Sequence, residues 1–270
     1  MKLAISNIAW DNHELDDHLK LIKQLGCRGL EIAPSSFWPK PEKSSLKERK
    51  ALKEKINHSG LEIIGLHALL YSHPDLEIFG SESKRQATAE YLQQLFELCR
   101  DLGGKTLVYG SPPSRRLQGR KEGEAFAIAV DFFGKLAQKA APFGVFLCIE
   151  PLSAKETEFV KTSAEGADLV TEINHPHFRL HLDAKAMVDS SEDVKSAIHR
   201  YAPLLRHFHV SDGGLMPPGT SGFDHRIFGE TLNEAGYGHY ISIEMRRGFG
   251  PSREVVQKTI AYVKEKYSII

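Results

Sequence analysis

The chain reads Phe143-Gly144-Val145-Phe146-Leu147-Cys148-Ile149-Glu150 near its middle. Here a glycine at the end of a helical segment precedes a short apolar run, which is typical of a strand buried on both faces. The same order of glycine and apolar run occurs at Leu25-Gly26 and again at Ser59-Gly60. The repetition indicates successive strand–helix units, and such units predict a parallel sheet.

The whole chain follows this alternation. Apolar runs predict eight strands, near residues 2–8, 28–33, 61–67, 105–110, 145–150, 178–183, 205–210 and 239–244. Helical periodicity predicts eight helices between and after them, near 15–25, 45–59, 83–102, 122–142, 162–174, 190–202, 224–235 and 252–267. Each helix is long enough for a right-handed crossover. The count favours an α/β fold, a (β/α)₈ TIM barrel forming one domain over residues 1–270, with a doubly wound open sheet as the alternative.

Composition and motifs argue against several classes of binding partner. Lys plus Arg and Asp plus Glu both total 35, so no basic excess favours nucleic acid. No apolar stretch reaches the roughly 20 residues that span a bilayer. The three cysteines lie apart in apolar stretches and are predicted to be reduced, which indicates a cytoplasmic protein. No Gly-x-Gly-x-x-Gly or P-loop signature follows a strand, which argues against dinucleotide and nucleoside-triphosphate binding.

Four consecutive predicted strands end in residues that can bind a metal. Strand five ends at Glu150, strand six at Asp183, strand seven contains His209, and strand eight ends at Glu244. In a closed barrel these ends meet at one mouth, where clustered carboxylates could not all stay ionised unaided. One divalent cation would resolve the conflict, and this donor set suits Mn²⁺ or Mg²⁺ and can hold Co²⁺ or Zn²⁺. Taken singly, each acid could be a solvated residue and the histidine a core residue.

The sequence around these positions resembles the xylose isomerase-like barrel superfamily of sugar-phosphate isomerases and epimerases. The resemblance covers nearly the whole chain and is strongest from Cys148 to Glu244, in Ile149-Glu150-Pro151-Leu152, Leu180-His181-Leu182-Asp183 and Gly236-Tyr237-Gly238-His239-Tyr240-Ile241-Ser242-Ile243-Glu244. It is closest to the ketose 3-epimerase and hydroxypyruvate isomerase branch. The resemblance implies that Glu150, Asp183, His209 and Glu244 hold a single metal.

The resemblance also implies an activity. We expect a metal-dependent isomerase or epimerase of a small sugar, sugar phosphate or sugar acid, which removes a proton next to a carbonyl through an enediolate. Glu150 and Glu244 would be the acid and base on opposite sides of the reacting carbon. No nucleic acid or membrane partner is expected, and a homo-oligomer is left open.

Five further residues are candidates for substrate contact. His67 ends strand three, Glu156 follows strand five, and Trp10 follows strand one. Lys185 and Arg246 follow the metal-ligand positions of strands six and eight. Each has a plainer interpretation: a buried histidine, a solvated acid, a capping tryptophan or a surface cation. We expect Lys185 or Arg246 to point into the cavity.

Two positions depart from the ketose 3-epimerase pattern. Ala186 stands where these enzymes usually carry a substrate-binding histidine, and Leu215 stands where they tend to carry an arginine. The departures predict weak turnover of free ketohexoses relative to a charged or otherwise modified sugar.

Three other functions are known or conceivable for a barrel with these residues. An abasic-site endonuclease is disfavoured, because its additional zinc-binding histidines are missing at Ala186 and at Asp224-His225-Arg226. An inosose dehydratase-like lyase starts with the same proton abstraction and stays an alternative. A non-catalytic carbohydrate-binding barrel is the third.

Overall fold

Eight parallel strands close on themselves in the computed structural model, which describes residues 1–269. Each strand pairs with its neighbour in chain order, and Ala4 of the first strand lies opposite Ser242 of the last. The strands are β1 (Lys2–Ser6), β2 (Gly29–Ile32), β3 (Glu62–Leu66), β4 (Thr106–Tyr109), β5 (Phe146–Ile149), β6 (Phe178–Asp183), β7 (Leu205–Val210) and β8 (Tyr240–Ile243). The predicted TIM barrel is confirmed, and the open sheet is excluded.

Helices cover the outside of the barrel. They are α1 (Leu15–Gln24), α2 (Leu46–His58), α3 (Glu82–Leu102), α4 (Glu122–Ala140), α5 (Ser163–Ile173), α6 (Ala184–Asp189), α7 (Val194–Tyr201), α8 (Arg226–Glu234) and α9 (Ser252–Lys266). Local sequence sets their ends: Ser45 and Glu48 form a reciprocal capping box at the start of α2. Among residues 1–269, no helix is both long and apolar enough to cross a membrane.

The segment after β6 differs from the prediction of one helix near 190–202. The short helix α6 follows the strand directly, and α7 begins only at Val194. The cause is local, because Asp183 caps α6 by accepting a hydrogen bond from the backbone N–H of Ala186 at 2.7 Å. The residue that ends β6 is therefore held at both its backbone and its side chain.

The barrel wall needs close packing between neighbouring strands. A Cβ atom at Gly65 of β3 would collide with the Thr106 carbonyl oxygen of β4. The residue after β4, Gly110, is equally restricted, because a Cβ there would collide with the Glu150 carboxylate. The absence of a side chain at Gly110 thus leaves room for an acidic group at the mouth of the barrel.

Candidate metal centre and active site

The four polar residues at the strand ends come together at the C-terminal mouth. One donor atom from each of Glu150, Asp183, His209 and Glu244 lies within 4.8 Å of the others. The parallel register explains the meeting, since Asp183 of β6 lies directly opposite His209 of β7. His209 Nδ1 is 3.3 Å from Glu244 Oε2 and 3.7 Å from Glu150 Oε1. The sequence prediction of convergence therefore matches the geometry.

The charges of this cluster are unbalanced without a further cation. Burial, followed by the nearby Glu150 and Glu244 carboxylates, raises the pKa of Asp183 to about 7. Burial opposes ionisation of Glu150, but the adjacent His181 and His209 rings outweigh it and lower its pKa to about 2. Burial likewise opposes ionisation of Glu244, and the His209 and His67 rings lower its pKa. Burial and crowding together make Asp183 the most readily protonated of the three acids.

The donor set fits a divalent cation. His209 Nδ1 is buried and has no hydrogen-bond partner among the described residues, although it faces two carboxylates. A cation would accept this nitrogen lone pair and offset the repulsion among the three carboxylates. Three oxygen donors with one nitrogen are a set that Mn²⁺ and Mg²⁺ accept. The four residues can thus hold one divalent ion.

Arg115 holds the backbone on one side of this centre. Its guanidinium is fully buried and donates to the carbonyl oxygens of Gly110 at 2.7 Å, Glu150 at 3.0 Å and Phe159 at 3.2 Å. Burial lowers the pKa of Arg115 to about 10. These bonds tie the ends of β4 and β5 together and leave this arginine unavailable to a ligand.

Three polar partners surround the four donors. His67 Nε2 is 2.6 Å from the Ser6 hydroxyl, and its Nδ1 is 3.0 Å from Glu244 Oε1. The Ser211 hydroxyl donates to the Asp183 carboxylate. His67 was predicted to lie near substrate and does line the cavity, whereas Ser6 and Ser211 carried no sequence signal beyond their places after or within strands.

Glu31 of β2 is the most informative residue that the sequence did not single out. It is fully buried inside the barrel, and its two oxygens accept hydrogen bonds from His207 Nε2 and His209 Nε2, both at 3.1 Å. Burial opposes its ionisation, but His209 and His207 hold the pKa of the carboxyl well below its usual value. Strand alternation did place His207 and His209 on one face, which was the one available hint.

His181 completes a group of three buried histidines with His207 and His209. Its ring lies 4.2 Å from that of His209, its Nε2 is 3.3 Å from Glu150 Oε1, and burial followed by His209 lowers its pKa to about 4. The group does not form a separate metal site. Both His209 nitrogens are already directed elsewhere, one at Glu31 and the other at the carboxylates of the mouth.

A cavity of about 480 Å³ opens above the four donors. Glu156 and Lys185 line it as predicted, and the Lys185 ammonium pairs with Glu156 and lies 3.3 Å from Asp189 Oδ2. Much of the remaining wall is apolar and comes from the loops after β3, β4, β5 and β7, with Leu70, Tyr71, Leu76, Pro112, Pro113, Leu152 and Leu215. The cavity therefore has a polar floor and an apolar side.

Two of the residues predicted to contact substrate, Trp10 and Arg246, do not line the cavity. Trp10 is 1% exposed, stacks on His18 with 4.6 Å between ring centroids, and does not line the cavity, so it caps the barrel core. Arg246 is exposed outside the cavity: its guanidinium donates to the Gly214 carbonyl oxygen at 3.1 Å and lies 4.9 Å from the Phe249 ring centroid. In this arrangement the Arg246 side chain is exposed and is not among the residues that line the cavity.

Fold and site define a closed barrel with a potential metal centre at the C-terminal ends of its last four strands. More specifically, the chain belongs to the xylose isomerase-like TIM barrel family, whose model matches residues 19–266. The resemblance drawn from the sequence is thereby confirmed at family level.

Individual relatives are similar over most of their length. A D-psicose 3-epimerase of Ruminiclostridium cellulolyticum is 25% identical, covering 90% of this chain and 83% of its own. A 3-dehydro-D-guloside 4-epimerase of Escherichia coli is 21% identical, covering 98% and 99%. The crystal structure of a D-psicose 3-epimerase with D-tagatose, from Clostridium cellulolyticum H10, superposes with a TM-score of 0.85 at 18% identity and covers 99% of each chain. This structural likeness shows the shared fold.

Proposed function

We propose that the protein is a sugar epimerase, and hence an isomerase, that depends on one divalent metal ion. The observation that carries the proposal is the convergence of two glutamates, an aspartate and a histidine beneath one cavity. The epimerase names of the relatives support this class and agree with the isomerase predicted from the sequence. Mn²⁺ or Mg²⁺ is the proposed ion, with Co²⁺ and Zn²⁺ as substitutes.

Glu150, Asp183, His209 and Glu244 would hold the ion. When bound, it would polarise a sugar carbonyl and stabilise the negative charge that develops after proton removal. Glu150 and Glu244 belong to different strand ends and face a common centre, since each lies beside His209 Nδ1. One carboxylate can remove the proton from the carbon next to the carbonyl, and the other can return a proton on the opposite face. His67 would keep the Glu244 carboxylate oriented through its 3.0 Å contact.

The substrate that we propose is an uncharged keto sugar. Among the described residues that line the cavity, Lys185 is the single lysine or arginine, and its charge is already balanced by Glu156 and Asp189. To bind Lys185, a phosphate or a sugar acid would have to displace Glu156 and Asp189 from it. The anion would also lie near the three carboxylates at the floor of the cavity. Of the modified sugars expected from the sequence, the geometry therefore favours neutral ones. Lys185, Glu156 and His67 are the proposed contacts to sugar hydroxyls.

The cellular setting is also a proposal. Cys27, Cys99 and Cys148 are free and buried, and burial raises the pKa of each thiol. Such thiols are typical of a reducing compartment, so we propose a cytoplasmic protein of one domain. A homo-oligomer stays a prediction.

The test is product analysis with metal-stripped and Mn²⁺-reloaded protein on a matched panel. The panel contains psicose, fructose, tagatose, ribulose, a 3-keto glucoside, a ketose phosphate and a keto sugar acid. We expect metal-dependent formation of an epimer from a neutral sugar. Loss of water instead would indicate the dehydratase alternative, and metal and sugar binding without any product would indicate a non-catalytic barrel.

A further inference from the structure

We propose that Glu31 is a positioning residue that presents Nδ1 of His209 to the metal. The inference rests on the proposed metal centre and assigns a role to a residue outside it. Glu31 lies on β2, whereas His209 lies on β7, so the contact crosses the interior of the barrel. Glu31 Oε2 is 3.1 Å from His209 Nε2, on the side of the ring opposite to the carboxylates of the mouth.

The chemistry of a carboxylate fixes the tautomer. An ionised glutamate can only accept hydrogen bonds, so the His209 nitrogen that faces Glu31 must carry a proton. In the neutral ring, the other nitrogen then has the lone pair. That nitrogen is Nδ1, which is 3.3 Å from Glu244 and 3.7 Å from Glu150. Glu31 therefore directs the metal-binding lone pair toward the remaining donors.

His207 holds the Glu31 carboxylate in turn. Its Nε2 donates to Glu31 Oε1 at 3.1 Å, while His209 donates to the other oxygen. The two imidazole rings pack edge to face with centroids 5.2 Å apart. Because both oxygens are occupied and the side chain is fully buried, the carboxylate cannot turn away from His209 without losing a bond.

Outer-shell carboxylates of this kind orient metal-binding histidines and make them more basic. Among the described residues, the Glu31 side chain forms hydrogen bonds only with His207 and His209. A buried charge is costly to maintain, and here its two bonds serve one ligand of the metal centre and the ring packed against it. The arrangement points to positioning of His209 rather than to a general role in holding the strands.

The first test is Glu31→Gln, which keeps the size of the side chain but replaces one acceptor with an N–H donor. One histidine then faces a donor, and His209 loses the negative charge behind it in either amide orientation. We expect Mn²⁺ to bind about 10–100-fold more weakly to the metal-stripped variant, measured by titration calorimetry. The matched control is Asp212→Asn, which alters another buried carboxylate–histidine pair, with His225, and should leave the Mn²⁺ dissociation constant unchanged within about twofold.

A second measurement uses the unchanged protein, in case Glu31→Gln does not fold. In ¹⁵N-histidine NMR spectra of the Zn²⁺-loaded wild type, His209 should carry its proton on Nε2 and bind metal through Nδ1. The reverse pattern would overturn the inference, as would equal Mn²⁺ affinity of wild type and Glu31→Gln. Both of those outcomes leave the proposed function intact, whereas a wild type that binds no divalent metal overturns the function and this inference together.

Discussion

Two buried carboxylate–histidine pairs lie near the end of β7, and they differ in one respect. In the first, His209 Nε2 donates to Glu31, and in the second, His225 Nε2 is 2.7 Å from Asp212 Oδ1. The second ring is fully occupied, because its Nδ1 is 3.0 Å from the Tyr267 hydroxyl. The first ring leaves Nδ1 without a hydrogen-bond partner among the described residues, and this atom faces the Glu244 and Glu150 carboxylates.

The difference separates a structural pair from a metal-binding one. Asp212 also accepts the backbone N–H groups of Thr220 and Ser221, so the second pair fastens the loop after β7 to α8 and to the end of α9. A buried acid–histidine contact alone is therefore no sign of function. What marks His209 is a free nitrogen that faces other donors at the floor of a cavity.

The largest effect is expected at the two glutamates. Replacing Glu150 or Glu244 by Gln preserves shape but removes the base or the acid from one face of the substrate. Turnover should fall by about 10²–10⁴-fold in each variant. One variant is expected to retain exchange of the substrate proton with deuterated solvent, because the remaining carboxylate can remove and return a proton on its own face.

The matched control for these variants is Asp212→Asn, whose turnover should stay within about threefold of wild type when assayed well below its melting temperature. Near-normal turnover of both glutamate variants, with metal bound, would contradict the two-carboxylate mechanism.

The next prediction compares substitutions of His209 and His225. We expect His209→Gln to weaken Mn²⁺ binding by more than about 100-fold, since loss of a ligand exceeds the 10–100-fold typical of an outer partner. His225→Gln should keep its Mn²⁺ affinity but lose about 1–3 kcal/mol in free energy of unfolding, because Asp212 and Tyr267 lose a partner. Titration calorimetry and urea unfolding of the metal-stripped proteins measure the two quantities. Equal metal affinity in both variants would remove the distinction.

The pH dependence of metal binding follows from Asp183 and His209. Both hold protons tightly in the metal-free fold: burial and the adjacent acids raise the pKa of Asp183 to about 7, and Glu31 and Glu244 outweigh burial to raise the pKa of His209. Because the metal must displace these protons, its apparent affinity should fall as pH drops through the raised pKa of His209 and through the pKa of Asp183, about 7, by about tenfold per unit for each proton released. Calorimetry in buffers with different ionisation heats counts the protons, and a pH-independent affinity would refute the assignment.

Two buried aspartates, Asp183 and Asp212, give the stability of the metal-free fold opposite dependences on pH. The raised pKa of Asp183 makes the native state bind more protons than the unfolded chain, so its contribution to stability is lost as pH rises from about 4 to about 7. For Asp212, burial raises the pKa, but His225 and Ser221 outweigh it, and the net shift is downward. Its contribution is therefore present above its unfolded pKa and is lost as pH falls.

The smallest expected effects concern Lys185 and Arg246, two positively charged side chains near the mouth of the barrel. Lys185→Met should raise KM for a neutral sugar by about tenfold with little change in kcat, since a charged hydrogen-bond donor is lost from the cavity wall. Arg246→Ala should leave KM within about twofold, because its guanidinium lies outside the cavity against Phe249. Steady-state kinetics on the best sugar of the panel measure both. A larger KM change for Arg246→Ala would mean that this side chain turns inward when substrate binds.

The sequence predicted the barrel and the four donors for the same reason. Alternation of apolar runs and helices defines where each parallel strand ends, and the ends of parallel strands must meet at one mouth. Glu150, Asp183, His209 and Glu244 could thus be grouped without knowledge of any side-chain distance. His67 and Glu156 follow β3 and β5, and Lys185 lies in α6 directly after β6, so this rule assigns all three to the cavity.

The positions of the remaining side chains could not be predicted, because they depend on contacts that hydrophobic periodicity does not reveal. Glu31 meets His209 across 178 positions of sequence, and the contact exists only because the sheet closes and directs side chains of β2 and β7 into the same barrel interior. Trp10 and Arg246 follow strand ends as the true cavity residues do, but their directions are set by His18 and Phe249. Side-chain direction after a strand is decided by such local contacts, which strand patterns cannot show.

The most direct test is deuterium uptake by substrate in D₂O, measured by mass spectrometry with metal-stripped and Mn²⁺-reloaded wild type. We predict that deuterium enters a neutral keto sugar at the carbon next to the carbonyl, that the rate depends on added metal, and that the epimer carries the label. A protein that binds both Mn²⁺ and a sugar of the panel, yet never exchanges that proton, would contradict the account.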